Sequence, residues 1–162
     1  MRTVRPLDRQ DLATLGRNHE DLLQLCSDLE SLADSLPFAI DEALCREVAE
    51  QVLPLLARTQ DFEEQLLFPD LDRSAGSCFT AMMIERLKNE HRCDRLAAEE
   101  ISLTLKAMLR GHCGLTFETI GYMLRGFFEC VRRHVASEKA MIHQLIMGWP
   151  ALPRTSSMMS SS

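Results

Sequence analysis

Three histidines and two glutamates of this 162-residue chain occupy positions where apolar side chains would be the rule. His19, His91, His134, Glu63 and Glu138 all fall on stripes of apolar residues that repeat at three- and four-residue steps. His134 and Glu138 are i and i+4, so on a helix both project from one face, about 6 Å apart along the axis. Thr59 and Glu63 repeat that interval. Buried carboxylates are costly unless a cation compensates them, and two close together repel. A metal ion would supply the missing charge, and imidazole with carboxylate is a donor set suited to iron, manganese or zinc. The alternative is a buried hydrogen-bonded network that fixes helix register.

The elements that must position these residues are helices. The chain is rich in Leu and carries 9 Met but only 1 Tyr, with few Val or Ile, which argues for an all-α protein. Pro37, the stretch from Asp72 to Ser77 and the run from Gly111 to Gly114 divide it into four helix-forming segments. Asp8, Ser77 and Thr116 are positioned to cap the first, third and fourth, and Pro54 is expected to kink or loosen the second. The first stripe is Leu12, Leu15, His19, Leu22, Cys26, Leu29, Ala33 and Leu36. The second runs Val48, Val52, Leu55, Thr59, Phe62 or Glu63, and Leu66. The third runs from Ile84 through Leu87, His91, Asp94 and Ala98 to Met108; the fourth runs from Ile120 through Val131, His134 and Glu138 to Leu145. Short connections predict an antiparallel up-down-up-down four-helix bundle over residues 1–150, followed by a disordered Ser-rich tail, 151–162. Folded about the Gly111–Gly114 turn, His91 and His134 share a level. Folded about Pro37, His19 and Thr59 are staggered by about 6 Å, so the polar residues converge on one layer.

Charge and composition exclude other functions. Against 18 Lys+Arg stand 24 Asp+Glu, a net charge of −6, which lacks the cationic footprint nucleic acid requires. No apolar run is long enough to span a membrane, and the N-terminus does not read as a signal peptide. The 6 cysteines include no Cys-x-x-Cys pair, so they are expected to be reduced thiols of a cytoplasmic protein. A homo-oligomer or a protein partner stays open.

No Glu lies three residues before a His, so the Glu-x-x-His spacing of ferritin-like sites is missing. The strings Asn18-His19-Glu20-Asp21, Asp61-Phe62-Glu63-Glu64-Gln65-Leu66-Leu67-Phe68-Pro69, Glu90-His91-Arg92 and His134-Val135-Ala136-Ser137-Glu138 resemble instead the hemerythrin-like, HHE cation-binding domains. The resemblance covers roughly residues 8 to 147 and implies a non-haem di-iron centre. His19, His91 and His134 would be terminal ligands and Glu63 and Glu138 bridges, with an open position for O2, NO or peroxide. It implies a protein that binds or senses such ligands, with a peroxide- or NO-handling enzyme and a metal-poor interaction module as alternatives. Thr59 departs from the family pattern, which has a histidine there; Asp94 or Gln60 could substitute. Asp94 is otherwise expected to partner an Arg or His91. Cys26 and Cys130 read as core, His112 as a cation near a helix C-terminus, and His143 as facing away. Ligand histidines titrating near 6.5 would release metal as pH falls through about 6 to 5.

Overall fold

A computed structural model describes residues 5–148 of the protein; the expected tail, 151–162, lies outside the described residues. Among these the chain is helical, without strands. Helix α1 spans Arg9–Ser35, α2 Glu42–Phe62, α3 Phe68–Ala75, α4 Cys78–Leu109 and α5 Phe117–Met147, and a π-helical turn, Glu63–Leu67, joins α2 to α3. The three expected caps are in place: Asp8 accepts from the Asp11 amide at 2.9 Å, Ser77 from Thr80 at 3.2 Å and Thr116 from Thr119 at 3.1 Å. Each satisfies an amide that the helix start leaves orphaned, worth about 1 kcal/mol. Asp41 does the same for α2, a cap not anticipated from the sequence. Helix α3 ends where Gly76 takes φ +54°, a left-handed conformation that disfavours a Cβ.

The second helix departs from expectation. It runs unbroken past the exposed Pro54, and the change in geometry comes at Glu63–Leu67. Pro69 follows directly, and its ring would press on the Gln65 carbonyl if the α-helix continued; the wider turn relieves that contact. The buried positions also differ from the expected stripe, and from Leu66 onward the π turn accounts for the shift. Leu55 and Leu66 are half-buried, while Leu56, Leu67 and Phe68 are the core residues.

Contacts between helices run in opposite numerical order. On α1 and α5 they are His19–Glu138, Cys26–Phe128 and Asp34–Arg125. Between the second segment and α4 they are Ala49–Ser102, Gln60–Arg95 and Glu64–His91. Two apolar clusters result. The larger holds Leu22 to Ala33 of α1, Cys45 to Leu56 of α2, Ala98 to Leu105 of α4 and Ile120 to Val135 of α5. The smaller holds Leu15, Leu67, Phe68, Ile84, Leu87 and Leu145. On every long helix the polar layer falls between them. Each fully buried Leu or Phe contributes roughly 1.5 to 3 kcal/mol, so the layer is clamped by strong apolar packing on both sides.

Candidate metal centre

All five expected residues meet in that layer: His19 from α1, Glu63 from the π turn, His91 from α4, and His134 and Glu138 from α5. Four of them are buried, and His134 is nearly so. Each carboxylate faces two ways. Glu63 places Oε1 at 3.1 Å from His19 Nε2 and Oε2 at 3.2 Å from His91 Nε2. Glu138 places Oε2 at 3.0 Å from His19 Nε2 and Oε1 at 2.8 Å from His134 Nε2 and 3.6 Å from His91 Nε2.

Whether this donor set fits a cation is a question of geometry. One donor atom from each of Glu63, His91, His134 and Glu138 can be chosen so that all lie within 4.8 Å of one another. Opposite ligands of an ion with bonds of about 2.1 Å stand about 4.2 Å apart, so only slight contraction is needed. His91 Nε2 and His134 Nε2 face each other at 3.0 Å, where only one proton fits between them. Glu63 Oε2 is buried and makes no hydrogen bond. An orphaned carboxylate oxygen beside two inward-facing imidazoles is what a cation would satisfy.

Electrostatics agree. Burial opposes charge on His19, but hydrogen bonds to Glu138 and Glu63 outweigh it and raise its pKa to about 9. At His91 burial is again opposed, by Glu138, Glu63 and Glu64, and the pKa rises to about 10. Burial opposes charge on His134 too, and Glu138 lifts it. Burial pushes Glu63 up, whereas at Glu138 the same penalty is overcome by hydrogen bonds from His134 and His19 and by the nearby His91, which hold it well below the usual range. Without metal, this layer gathers protons as its positive charge.

The remaining candidates stand apart from the five. Thr59 is buried, and its hydroxyl donates to the Leu55 carbonyl at 2.9 Å, a bond back along its own helix. Gln60 gives its amide oxygen to Arg95 Nε at 2.7 Å, and its Nε2 has no partner. Asp94 bonds neither an arginine nor His91. It accepts from the Cys130 thiol at 3.7 Å, because the adjacent Arg95 is engaged by Gln60 and Asp61. Cys26 donates to the Phe128 carbonyl, and burial lifts its thiol to about 12; burial also raises Cys130. Both therefore stay neutral thiols. His143 is exposed, and His112 lies exposed in the turn after α4.

Three neighbours were not anticipated in the roles they take. Glu64 Oε1 lies 2.8 Å from His91 Nδ1, and Glu90 Oε2 lies 3.4 Å from His134 Nδ1. A carboxylate on the outer nitrogen fixes ring orientation and leaves Nε2 for the site. Phe68 stacks on His91 with centroids 5.3 Å apart. The only sequence signal was adjacency, since Glu64 follows Glu63 and Glu90 precedes His91.

A family model described as the hemerythrin HHE cation-binding domain matches residues 10–146. Comparisons with curated proteins and with solved structures give no match. The matched span contains every residue of the polar layer and nearly all of the four long helices, and by that match the chain belongs to the hemerythrin family of HHE cation-binding domains.

Proposed function

We propose that this chain is a non-haem iron protein that holds two ions in its polar layer and binds or responds to O2, NO, peroxide or the cellular redox and iron state. The carrying observation is the two-sided presentation of Glu63 and Glu138, each offering one oxygen toward His19 and the other toward His91 or His134. A hydrogen-bonded register network has no need of carboxylates so divided. Zinc or manganese would suit the same donors; zinc has no redox chemistry, whereas iron exchanges electrons with small oxygen or nitrogen ligands.

In this reading His19, His91 and His134 are terminal ligands, and Glu63 and Glu138 bridge. Glu64 and Glu90 orient two of the rings, and the apolar clusters above and below keep water from the layer. Residues 5–148 form one up-down-up-down bundle, which the opposed order of interhelical contacts supports. The 6 free cysteines suit a reducing cytoplasm. No described helix is long and apolar enough to cross a membrane.

Elemental analysis of the purified chain tests the reading. About two irons per chain, with a melting temperature that rises when Fe2+ is returned to stripped protein, is the expected outcome. A colourless protein whose melting temperature ignores Fe2+ and Zn2+ would leave only the metal-poor module. Peroxide turnover by the iron-loaded chain would separate an enzyme from a sensor.

A further inference from the structure

Of the five layer residues, only His134 touches solvent: its side chain is 11% exposed, against 2% or less for the others. It forms part of the wall of an open groove of about 620 Å³ between α4 and α5. Ser137 and Ala140 are the short residues among those of α5 that line it, and they leave space against α4. Its charged residues are Arg86, Arg133 and Glu90. Arg86 Nε pairs with Glu90 Oε1 at 2.8 Å, and Glu90 Oε2 in turn lies 3.4 Å from His134 Nδ1. Among the described residues Arg133 has no ion-pair partner. In a chain of net charge −6 this is a local excess of positive charge, placed where the layer is least sealed.

We propose that the α4–α5 groove is the port through which small anions reach the metal centre, with His134 at its inner wall and the Arg86–Glu90 ion pair as its cover. The inference rests on the metal reading above and names the ligand class of that same site. Two arginines against one glutamate concentrate anions at the mouth. Rotation of the exposed Arg86 side chain would free Glu90 and open a way past the His134 ring. On the opposite side His19 is sealed at 1% exposure and offers no comparable route.

The test uses the iron-loaded full chain, azide as the anion and NO as a neutral probe, read by stopped-flow absorbance with metal content checked in every variant. Ser137→Trp and Ala140→Trp place bulk on exposed positions of the groove, and Ala136→Trp, exposed but outside it, is the control. Expected is at least about tenfold slower association of both probes in the two groove variants and no change in the control. Arg133→Ala should slow azide several-fold at low salt, lose that effect near 1 M salt, and leave NO unchanged. A second readout needs no metal: in stripped protein, deuterium exchange at the ring C2 of His134 should outpace His19 and His91 and fall in Ser137→Trp. If the chain takes up no iron, the metal reading fails while this exchange still decides whether the groove opens on His134. Unchanged association in both groove variants, or unchanged His134 exchange, overturns the port. An Arg133→Ala chain with wild-type azide rates overturns its preference for anions.

Discussion

On the α4–α5 side of the polar layer, His91 and His134 face one oxygen from each of Glu63 and Glu138, and both rings are held from behind by Glu64 and Glu90. On the α1–α2 side, His19 alone faces the other two oxygens, while Thr59 turns its hydroxyl to the Leu55 carbonyl. The carboxylates are common to both sides, so the contrast lies in imidazole count and in the groups that orient the rings. A metal position depends on ligands already aimed at it, because alignment that must be imposed on binding costs affinity. The α4–α5 side should therefore bind first and more tightly, and the α1–α2 side should fill weakly.

The largest effect comes from removing what both sides share. Glu138→Ala deletes one oxygen from each position and leaves His19 and His134 without a hydrogen-bond acceptor in the layer that each now has. Metal at about 100 times its dissociation constant should stabilise the wild type by about 2.7 kcal/mol, or roughly 5 to 10 °C in melting temperature. The variant should show no metal-induced shift in differential scanning calorimetry. Next is the pair of single histidine deletions. His134→Ala should abolish the tight step of a metal titration, while His19→Ala should leave that step and remove only the weak one. Equal losses in the two variants would erase the contrast.

Protons sharpen the same comparison. The histidine pKa values of about 9 for His19 and about 10 for His91 lie above that of a free imidazole in the unfolded chain. Stability from these protonated rings is thus fully present below about pH 6.5 and is lost as pH rises through 9 to 10. Metal must displace those protons, so its affinity should climb about tenfold per pH unit per proton released between pH 7 and 9. Titration in weakly buffered solution should register that release. The smallest expected effect is Glu64→Gln, which loosens only the outer hold on His91 and should weaken the tight position by about tenfold. The weak step should remain in place in the same titration.

Much of this arrangement was legible in the sequence because helical periodicity exposes its own exceptions. A histidine at position 19, 91 or 134 stands out against Leu, Ile and Val neighbours on the same stripe. The i, i+4 spacing of His134 and Glu138 survives folding because α5 is regular there. The second segment was harder to read. Its π turn adds a residue that no helical wheel provides for, so burial moved from Leu66 to Leu67 and Phe68, and Glu64 came to rest on His91. Asp94 was assigned by its place on the stripe, but its hydrogen bond was decided by what surrounded it: Arg95 was already engaged, and Cys130 was the donor in reach. The expected release of metal between about pH 6 and 5 assumed isolated imidazoles. Two buried carboxylates raise the histidine pKa values of the metal-free layer, a cooperative effect that no single residue reveals.

The inequality of the two positions is tested most directly by anaerobic Fe2+ titration of stripped wild type and Thr59→His, followed by calorimetry and by absorbance of the oxidised centre. Position 59 is buried one helical turn before Glu63, and its hydroxyl is committed to its own helix. The wild type should show one tight and one weak step, or a single ion bound. Thr59→His should tighten the second step by an order of magnitude or more and strengthen the near-ultraviolet absorbance. Two equal steps in the wild type, unchanged in stoichiometry and spectrum by Thr59→His, would contradict the account and point to another side chain completing the α1–α2 side.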